Sequence, residues 1–311
     1  MSIPSNVPSS IASRRVKNRI LRSGSDYVLE TLCMALVTLF AICCLFPFFY
    51  VFCVSFMSYE EYIAHPMRII PQSIDFTAYN QILDYALIRS AYSVSLTVTG
   101  VGTALSVFLV VISAYPLTKK NLAGRNFVMS MILFTMFFNG GMIPNYILIR
   151  DLGLFNTIGA MILPGSISAF HLILMRNFMT HAVPESLEEA AKVDGANDLY
   201  ILFRVVVPLL VPAIATMVIF SAVGYWNNFY SARLYITERK LWPLSLVLRE
   251  LVIEDTGAVS PITQMLNSQY RAHPFTLRMA AIVVTIAPIL VVYPFMQRYF
   301  VKGISLGSVK G

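Results

Sequence analysis

Six long apolar segments most constrain what this chain can fold into. A hydrocarbon core about 30 Å thick is crossed by about 20 apolar residues when they form a helix. Lipid offers the backbone no hydrogen-bond partners, so segments of this kind are expected to be helices that satisfy their own amide groups. The six predicted spans cover residues 31–57, 91–118, 127–149, 155–175, 205–229 and 276–301.

The composition agrees with this membrane class. Hydrophobic residues make up 57% of the chain and charged residues only 13%, which is too apolar for the surface of a water-soluble protein. The predicted fold class is therefore an all-α integral membrane protein with six transmembrane helices. Residues 139–144 interrupt the third span with two adjacent glycines and a proline. Such a break needs protein or water beside it, so we expect it to line a path.

The distribution of Lys and Arg predicts the orientation in the membrane. A basic tail, residues 1–26, precedes the first span, and the connection between the second and third spans carries Lys119, Lys120 and Arg125. Because positive residues concentrate on the cytoplasmic side, both segments are predicted to be cytoplasmic. With six spans, both termini then lie inside the cell, and the transmembrane domain covers residues 27–311. The first apolar run is too long for the core of a cleavable signal peptide.

A short charged segment, residues 184–196, separates the fourth and fifth spans and is predicted to be a cytoplasmic helix. Carboxylates near a helix N-terminus complement the helix dipole, and the acidic residues in the first turns here are Glu185, Glu188 and Glu189. Gly195 suits the end of a helix. Ala190 and Ala191 leave little side chain on one flank, so the surface of another protein can approach the backbone. The segment is therefore predicted to be a docking element.

No motif in the chain supplies an energy source or a catalytic site. The phosphate-binding pattern G-x-x-x-x-G-K-S/T is absent, so the chain is not expected to hydrolyse ATP. Ion coupling usually needs ionisable residues within spans; only His171 lies well inside one, and an interior hydrogen-bonding role is favoured for it. The other histidines, the acidic pairs and the cysteines lack the spacing of a hydrolase or metal site. We therefore expect no enzyme activity and no metal or cofactor bound by this chain.

The net charge of +7 does not indicate a nucleic-acid partner, because Lys and Arg flank the spans instead of forming one patch. The positive charge instead indicates which ends of the spans face the cytoplasm.

The charged segment carries a recognisable pattern. Its residues are, in chain order, Glu189, Ala190, Ala191, Asp194, Gly195, Ala196, Pro208 and Pro212. They resemble the EAA signature of permease subunits of bacterial binding-protein-dependent ABC importers. Residues 152–157 (LGLFNT), 224–229 (GYWNNF) and 309–311 (VKG) are similar to the carbohydrate-uptake group of that family. The paired glycines within residues 138–144 resemble subunits that handle larger or acidic oligosaccharides.

The resemblance implies the permease of an ATP-driven importer, which moves a sugar, expected to be an oligosaccharide, across the bacterial cytoplasmic membrane by alternating access. The short helix would be a coupling helix that docks in a groove of a separate ATPase subunit. The residues implied in this contact are Glu185, Glu188, Glu189, Ala190, Ala191, Asp194, Gly195 and Ala196.

The implied partners follow from what the chain itself lacks. Two ATPase subunits would bind ATP and Mg, and a second homologous permease would help to enclose the path within membrane lipid. An extracytoplasmic solute-binding protein would contact residues 58–90 and 230–275, where a surface helix is predicted near residues 76–83.

A sugar path must replace the hydrogen bonds that sugar hydroxyls lose with water, since unpaired polar groups cost kilocalories each. Amides can supply such bonds, and aromatic rings can stack on a pyranose. The candidate path residues are Asn139, Asn145, Tyr146, Tyr225, Trp226, Asn227 and Asn228. The alternative for each is structural, because Trp and Tyr form interfacial belts and Asn can bridge helices.

Prolines at positions 208 and 212 stand one helical turn apart at the start of the fifth span. Each removes a backbone hydrogen bond, so a kink there can turn movement of the coupling helix into tilting of the span. Tolerance of proline in a transmembrane helix is the alternative.

Other classes of protein stay open at this point. Importers of amino acids or peptides share the docking helix, and only the region around Trp226 argues for sugar. A secondary sugar carrier should show inverted repeats or charges within its spans. A scaffold or membrane enzyme should show a catalytic site or a soluble domain. The sequence shows neither of these sets of features.

Overall fold

The computed structural model describes residues 24–66, 68–253 and 273–308. Within these ranges the regular structure is helical throughout and contains no strand, which confirms the all-α prediction. The basic tail up to residue 23, residues 254–272 and the 309–311 motif lie outside the described residues.

Three helices in the described part of the chain are long and apolar enough to cross a membrane: α1 (Gly24–Val54), α4 (Ala86–Ala114) and α15 (Pro274–Ser308). Two short helices, α2 (Tyr59–Ala64) and α3 (Thr77–Asp84), connect α1 to α4. Helix α3 confirms the surface helix predicted near residues 76–83. The side chains of α1 up to Phe49 are exposed, as expected for a segment that faces lipid.

Three further apolar segments are each broken into two helices. The first pair is α5 (Arg125–Phe137) and α6 (Met142–Asp151), which meet at 112°. The second is α7 (Gly159–Ile162), extended by a 3₁₀ turn to Gly165, and α8 (Ala169–Ala182), which meet at 51°.

The third broken segment passes through three short pieces before its long helix. Helix α10 (Asp198–Tyr200), a π-helical stretch (Ile201–Val206) and α11 (Val207–Leu209) precede α12 (Val211–Trp226), with a bend of 84°. If each bent pair counts as one span, the described residues hold up to six candidate spans.

Two of the three bends have local causes in the backbone. Gly141 has φ +91°, a left-handed conformation open mainly to glycine, and its N–H donates to Oδ1 of Asn139 over 2.9 Å. Pro208 and Pro212 flank the bend before α12, where each lacks a backbone N–H. The kink expected from these prolines is therefore present in the structure.

The apolar helix α12 is shorter than the predicted fifth span. The sequence suggested a span over residues 205–229, whereas Val205 to Leu209 lie on the far side of the 84° bend. The reason is the combination of a π-helical stretch with two prolines, which redirects the chain before it enters α12.

Helix α4 is the centre of the described core, because it packs against α8, α12 and α14 (Leu244–Ile253). Near its C-terminus it joins a buried apolar cluster with α8, the π-helical stretch and α12. We call it the α9-end cluster, because helix α9 (Glu185–Val193) packs against it through Ala191. Its buried members are Val110, Val111, Ala114, Tyr115, Met175, Met179, Val183, Ile201, Leu202, Val206, Leu210, Ala213 and Met217. A second cluster at the other end joins α4 to α3, α14 and α15.

Candidate docking helix and translocation path

The charged segment forms helix α9 (Glu185–Val193), which is preceded by Pro184 and contains no buried residue. Glu185 and Glu188 lie in its first turn, where the positive end of the helix dipole stabilises negatively charged carboxylates. Gly195 follows the helix with φ +82°, and its N–H donates to the carbonyl of Lys192 over 3.0 Å. A left-handed glycine after the last turn is a common helix stop, so the predicted break lies where expected.

The predicted docking residues divide between two faces. Glu189, Ala190, Asp194 and Gly195 are exposed, together with Val193, which is 88% exposed. This exposed face combines apolar and acidic groups.

The inner side of the segment packs on the protein. Ala191 and Ala196 lie against the α9-end cluster, and the N–H of Ala196 donates to the carbonyl of Ala191 over 3.0 Å. These two small side chains therefore fix the position of α9 on its own chain.

Glu185 and Glu188 have partners within the chain. Nζ of Lys119 forms an ion pair with Oε2 of Glu188, and Nζ of Lys120 lies 2.5 Å from Oε1 of Glu185. The hydrogen bond from Lys120, followed by the charge of the same lysine, lowers the pKa of Glu185. Sequence reasoning assigned both lysines to the cytoplasmic connection but missed this role, because the pairs join residues far apart in the chain.

Lys119 lies at the C-terminal end of the α4 segment. Its Nζ lies 4.1 Å from the ring centroid of Tyr115. Burial alone would lower the pKa of Lys119, but the hydrogen bond and the charge of Glu188, with the neighbouring Tyr115, outweigh it and raise that pKa. A cleft of about 410 Å³ opens beside these residues and is lined from both α8 and α9.

Two of the candidate path residues lie together at the break between α5 and α6. Nδ2 of Asn145 is 3.5 Å from Oδ1 of Asn139, and both side chains are exposed. Tyr146 is half-buried, with its ring 6.2 Å from Tyr235 and 5.9 Å from Phe155 between centroids. Asn139 and Asn145 are thus open to a ligand, whereas Tyr146 packs between helices.

The remaining candidates lie at the end of α12. Tyr225 is buried and its hydroxyl donates to the carbonyl of Ile162 over 3.0 Å. Trp226 is also buried, edge-on to Tyr92 at 6.1 Å. It borders an apolar cleft of about 180 Å³ between α4, α12 and α15.

The two asparagines that follow α12 stabilise the turn. Nδ2 of Asn227 donates to the carbonyl of Val223 over 3.0 Å, and Oδ1 of Asn228 accepts from the N–H of Ser231 over 3.1 Å. The side chain of Asn227 is exposed and that of Asn228 is half-buried. No one site therefore gathers all the candidate path residues.

Asn156 is a structural residue that sequence reasoning did not single out by itself, although its motif was noticed. It adopts φ +57°, and its Oδ1 accepts from the N–H of Thr237 over 2.6 Å and from the N–H of Glu238 over 3.3 Å. Its Nδ2 donates to Oγ1 of Thr237 over 2.7 Å. One carboxamide thus ties the loop before α7 to the turn after α13 (Tyr230–Tyr235).

Comparison with known proteins agrees with this architecture. Residues 9–306 match the family model described as "Binding-protein-dependent transport system inner membrane component". The chain is 42% identical to the polygalacturonan/rhamnogalacturonan transport system permease protein YtcP of Bacillus subtilis, over 91% of this chain and 98% of that protein. It is 39% identical to Protein LplC of the same organism, over 85% of this chain and 89% of that protein.

A solved structure shares the fold. One chain of a bacterial ABC transporter involved in the import of the acidic polysaccharide alginate matches with a TM-score of 0.81 and 34% identity. The match covers 90% of this chain and 99% of that one. The chain therefore belongs to the family of inner membrane components of binding-protein-dependent transport systems, as the EAA-like segment indicated.

Proposed function

We propose that the chain is a permease subunit of an ATP-driven importer for acidic oligosaccharides. The observation that carries this proposal is the 42% identity to a polygalacturonan/rhamnogalacturonan permease over nearly the full length of both chains. The structural match to an alginate importer supports the same substrate class, because galacturonate and alginate units both carry carboxylates.

We propose a topology of six spans with both termini and α9 in the cytoplasm. The three long helices and three bent pairs supply the spans, and Lys119, Lys120 and Arg125 mark the cytoplasmic side. The basic tail of residues 1–26 then precedes a transmembrane domain of residues 27–311. The Asn156 loop and the turn after α13 face outward, where a solute-binding protein delivers the sugar.

In this proposal α9 is the coupling helix, and two separate ATPase subunits bind ATP and Mg. The exposed Glu189, Ala190, Asp194 and Gly195 face the ATPase, while Ala191 and Ala196 seat the helix on its own chain. ATP-driven closure of the ATPase dimer moves α9. The bend before α12 carries that movement into the fifth span.

A second homologous permease completes the path. Among the candidate path residues, Asn139, Asn145 and Asn227 have exposed amides, so these are the ones we propose to contact the sugar. Tyr146, Tyr225, Trp226 and Asn228 then shape the wall by packing and by local hydrogen bonds.

Uptake by the reconstituted complex tests the proposal. The chain is purified with its partner permease, ATPase and solute-binding protein in proteoliposomes, and labelled oligogalacturonides, neutral malto-oligosaccharides and peptides are offered in turn. We expect ATP-dependent uptake of the oligogalacturonides. Uptake of neutral sugars alone would overturn the acidic substrate class, and uptake of peptides alone would overturn the sugar assignment.

A further inference from the structure

Helix α9 is held on two sides by different parts of its own chain. On one side Ala191 and Ala196 pack against the α9-end cluster, to which the π-helical stretch contributes Ile201 and Leu202. This contact joins α9 to the segment that leads into α12. On the other side the contact is ionic and involves α4.

The ionic contact joins Lys119 to Glu188, and both residues line the cleft beside α9. The side chains are 26% and 18% exposed, respectively, so water screens this pair less than a surface pair. The neighbouring pair, Lys120 with Glu185, is 73% exposed at both residues. Exposed pairs of that kind contribute little, so the Lys119 pair is the stronger of the two links.

Lys119 is not on a free loop. A 3₁₀ turn (Pro116–Thr118) joins it directly to the end of α4, and Nε of Arg176 donates to the carbonyl of Leu117 within that turn over 2.9 Å. Tyr115, whose ring lies beneath the Lys119 ammonium group, is 6% exposed within the α9-end cluster. A force on Lys119 therefore reaches the backbone of α4 through a short, packed connection.

We propose that Lys119 is a positioning residue whose ion pair with Glu188 makes the end of α4 move together with α9. This rests on the proposed role of α9 as the coupling helix. A displacement of α9 then reaches α4 through the ion pair and α12 through the π-helical stretch. Because α4 and α12 also pack along each other, the two helices tilt as one body.

The charge-reversal variants Lys119→Glu, Glu188→Lys and the double variant test this link. Each single variant places two like charges together, whereas the double variant restores an ion pair with reversed polarity. The measurement is ATPase activity of the full complex in proteoliposomes, with and without substrate-loaded solute-binding protein. Each single variant should lose about fivefold or more of the stimulated activity, the lower end of allosteric coupling factors, and the double variant should recover most of it.

Lys120→Ala is the matched control, since it removes a neighbouring lysine from an exposed pair and should leave stimulation within about twofold of wild type. Lys119→Arg should also retain stimulation, because it keeps the positive charge. Wild-type stimulation in Lys119→Glu would overturn the link. So would a double variant no better than the poorer single variant, or an equal loss in Lys120→Ala.

The same preparations separate this link from the coupling-helix proposal. Co-purification of the ATPase with the wild-type chain tests whether a complex forms, and a bulky substitution at the exposed Ala190 tests whether α9 contacts the ATPase. If the Ala190 variant keeps full stimulation, the coupling-helix proposal fails. If that variant loses stimulation while Lys119→Glu keeps it, only the link to α4 fails.

Discussion

Gly102 lies where α4 crosses α12, and the absence of a side chain makes room for the ring of Tyr225. A Cβ built on Gly102 would lie 2.8 Å from carbons of that ring. The ring is not free to move, because it is buried and its hydroxyl donates to the carbonyl of Ile162. A single hydrogen atom at position 102 therefore allows α4 and α12, which pack along each other, to accommodate a large aromatic residue between them.

Gly102→Val should destabilise the protein by about 1–3 kcal/mol, because overpacking forces the ring or the backbone to shift. The measurement is the thermal unfolding midpoint of the purified chain in detergent. Gly100→Val is the control on the same helix, since nothing lies within 4 Å of a Cβ at that position. Equal midpoints for the two variants would contradict the assigned contact.

Asn156 shows how one side chain can order two loops. Its left-handed backbone is tolerated by Asn better than by most residues, and its carboxamide is occupied by Thr237 and Glu238. We expect this residue to stabilise the turn after α13 and not to act in substrate binding.

Asn156→Ala should release that turn, since it removes several hydrogen bonds of about 0.5–1.5 kcal/mol each and adds backbone strain. Hydrogen exchange checks this: the amides of Thr237 and Glu238 should exchange about tenfold faster or more, because about 1.4 kcal/mol is a factor of ten. Asn156→Gly separates the two causes, since it loses the bonds without the strain. Unchanged protection at these amides in both variants would count against the assigned role.

At the scale of elements, α9 is a short helix whose two faces have different partners. Its length agrees with the sequence, because acidic residues favour its start and Gly195 ends it with φ +82°. The packing of α9 on the rest of the chain could not be predicted from the sequence, since Ala191 and Glu188 contact residues far away in the chain. The mean position of α9 is thus set by tertiary contacts.

Gly195→Leu should strain the helix stop by about 1 kcal/mol, because a residue with a side chain is disfavoured at positive φ. We expect substrate-stimulated ATPase activity to fall severalfold while membrane insertion is kept. Gly195→Asn, which tolerates the left-handed conformation better, should lose less. Full substrate stimulation of ATPase activity in the Gly195→Leu variant would contradict the proposed contact with the ATPase.

At the scale of the whole molecule, six apolar segments are distributed over straight and bent helices. Among the residues that the structure describes, α1, α4 and α15 are each long and apolar enough to be a single span, and the other three segments bend by 51° to 112°. Broken helices need protein or water beside them, since lipid cannot satisfy the freed backbone groups. The bends therefore favour faces that line a path or meet a partner subunit.

The proposed topology predicts opposite accessibility for α9 and for the turn after α13. In a background with the native cysteines replaced by serine, Val193→Cys should react with an impermeant maleimide only in inside-out vesicles. Arg239→Cys, which is also exposed, should react only in right-side-out cells. Labelling of both positions from one side would exclude the six-span arrangement.

The sequence alone determined the membrane class, the helical fold, the position of α9 and the kink at the two prolines. These features depend on local chemistry: apolar length, helix-dipole charge, glycine and proline backbone geometry. The family also followed from a short local pattern around Glu189 and Gly195.

Only the tertiary structure decided which of the candidate side chains are exposed and which are already engaged within the chain. Tyr225 and Trp226 look like sugar-stacking groups in the sequence, yet both are buried in helix contacts. Glu188 looks like a docking carboxylate, yet it pairs with Lys119, which lies 69 positions earlier in the chain. Such outcomes depend on which distant surfaces meet, and no local pattern of charge or hydrophobicity specifies that meeting.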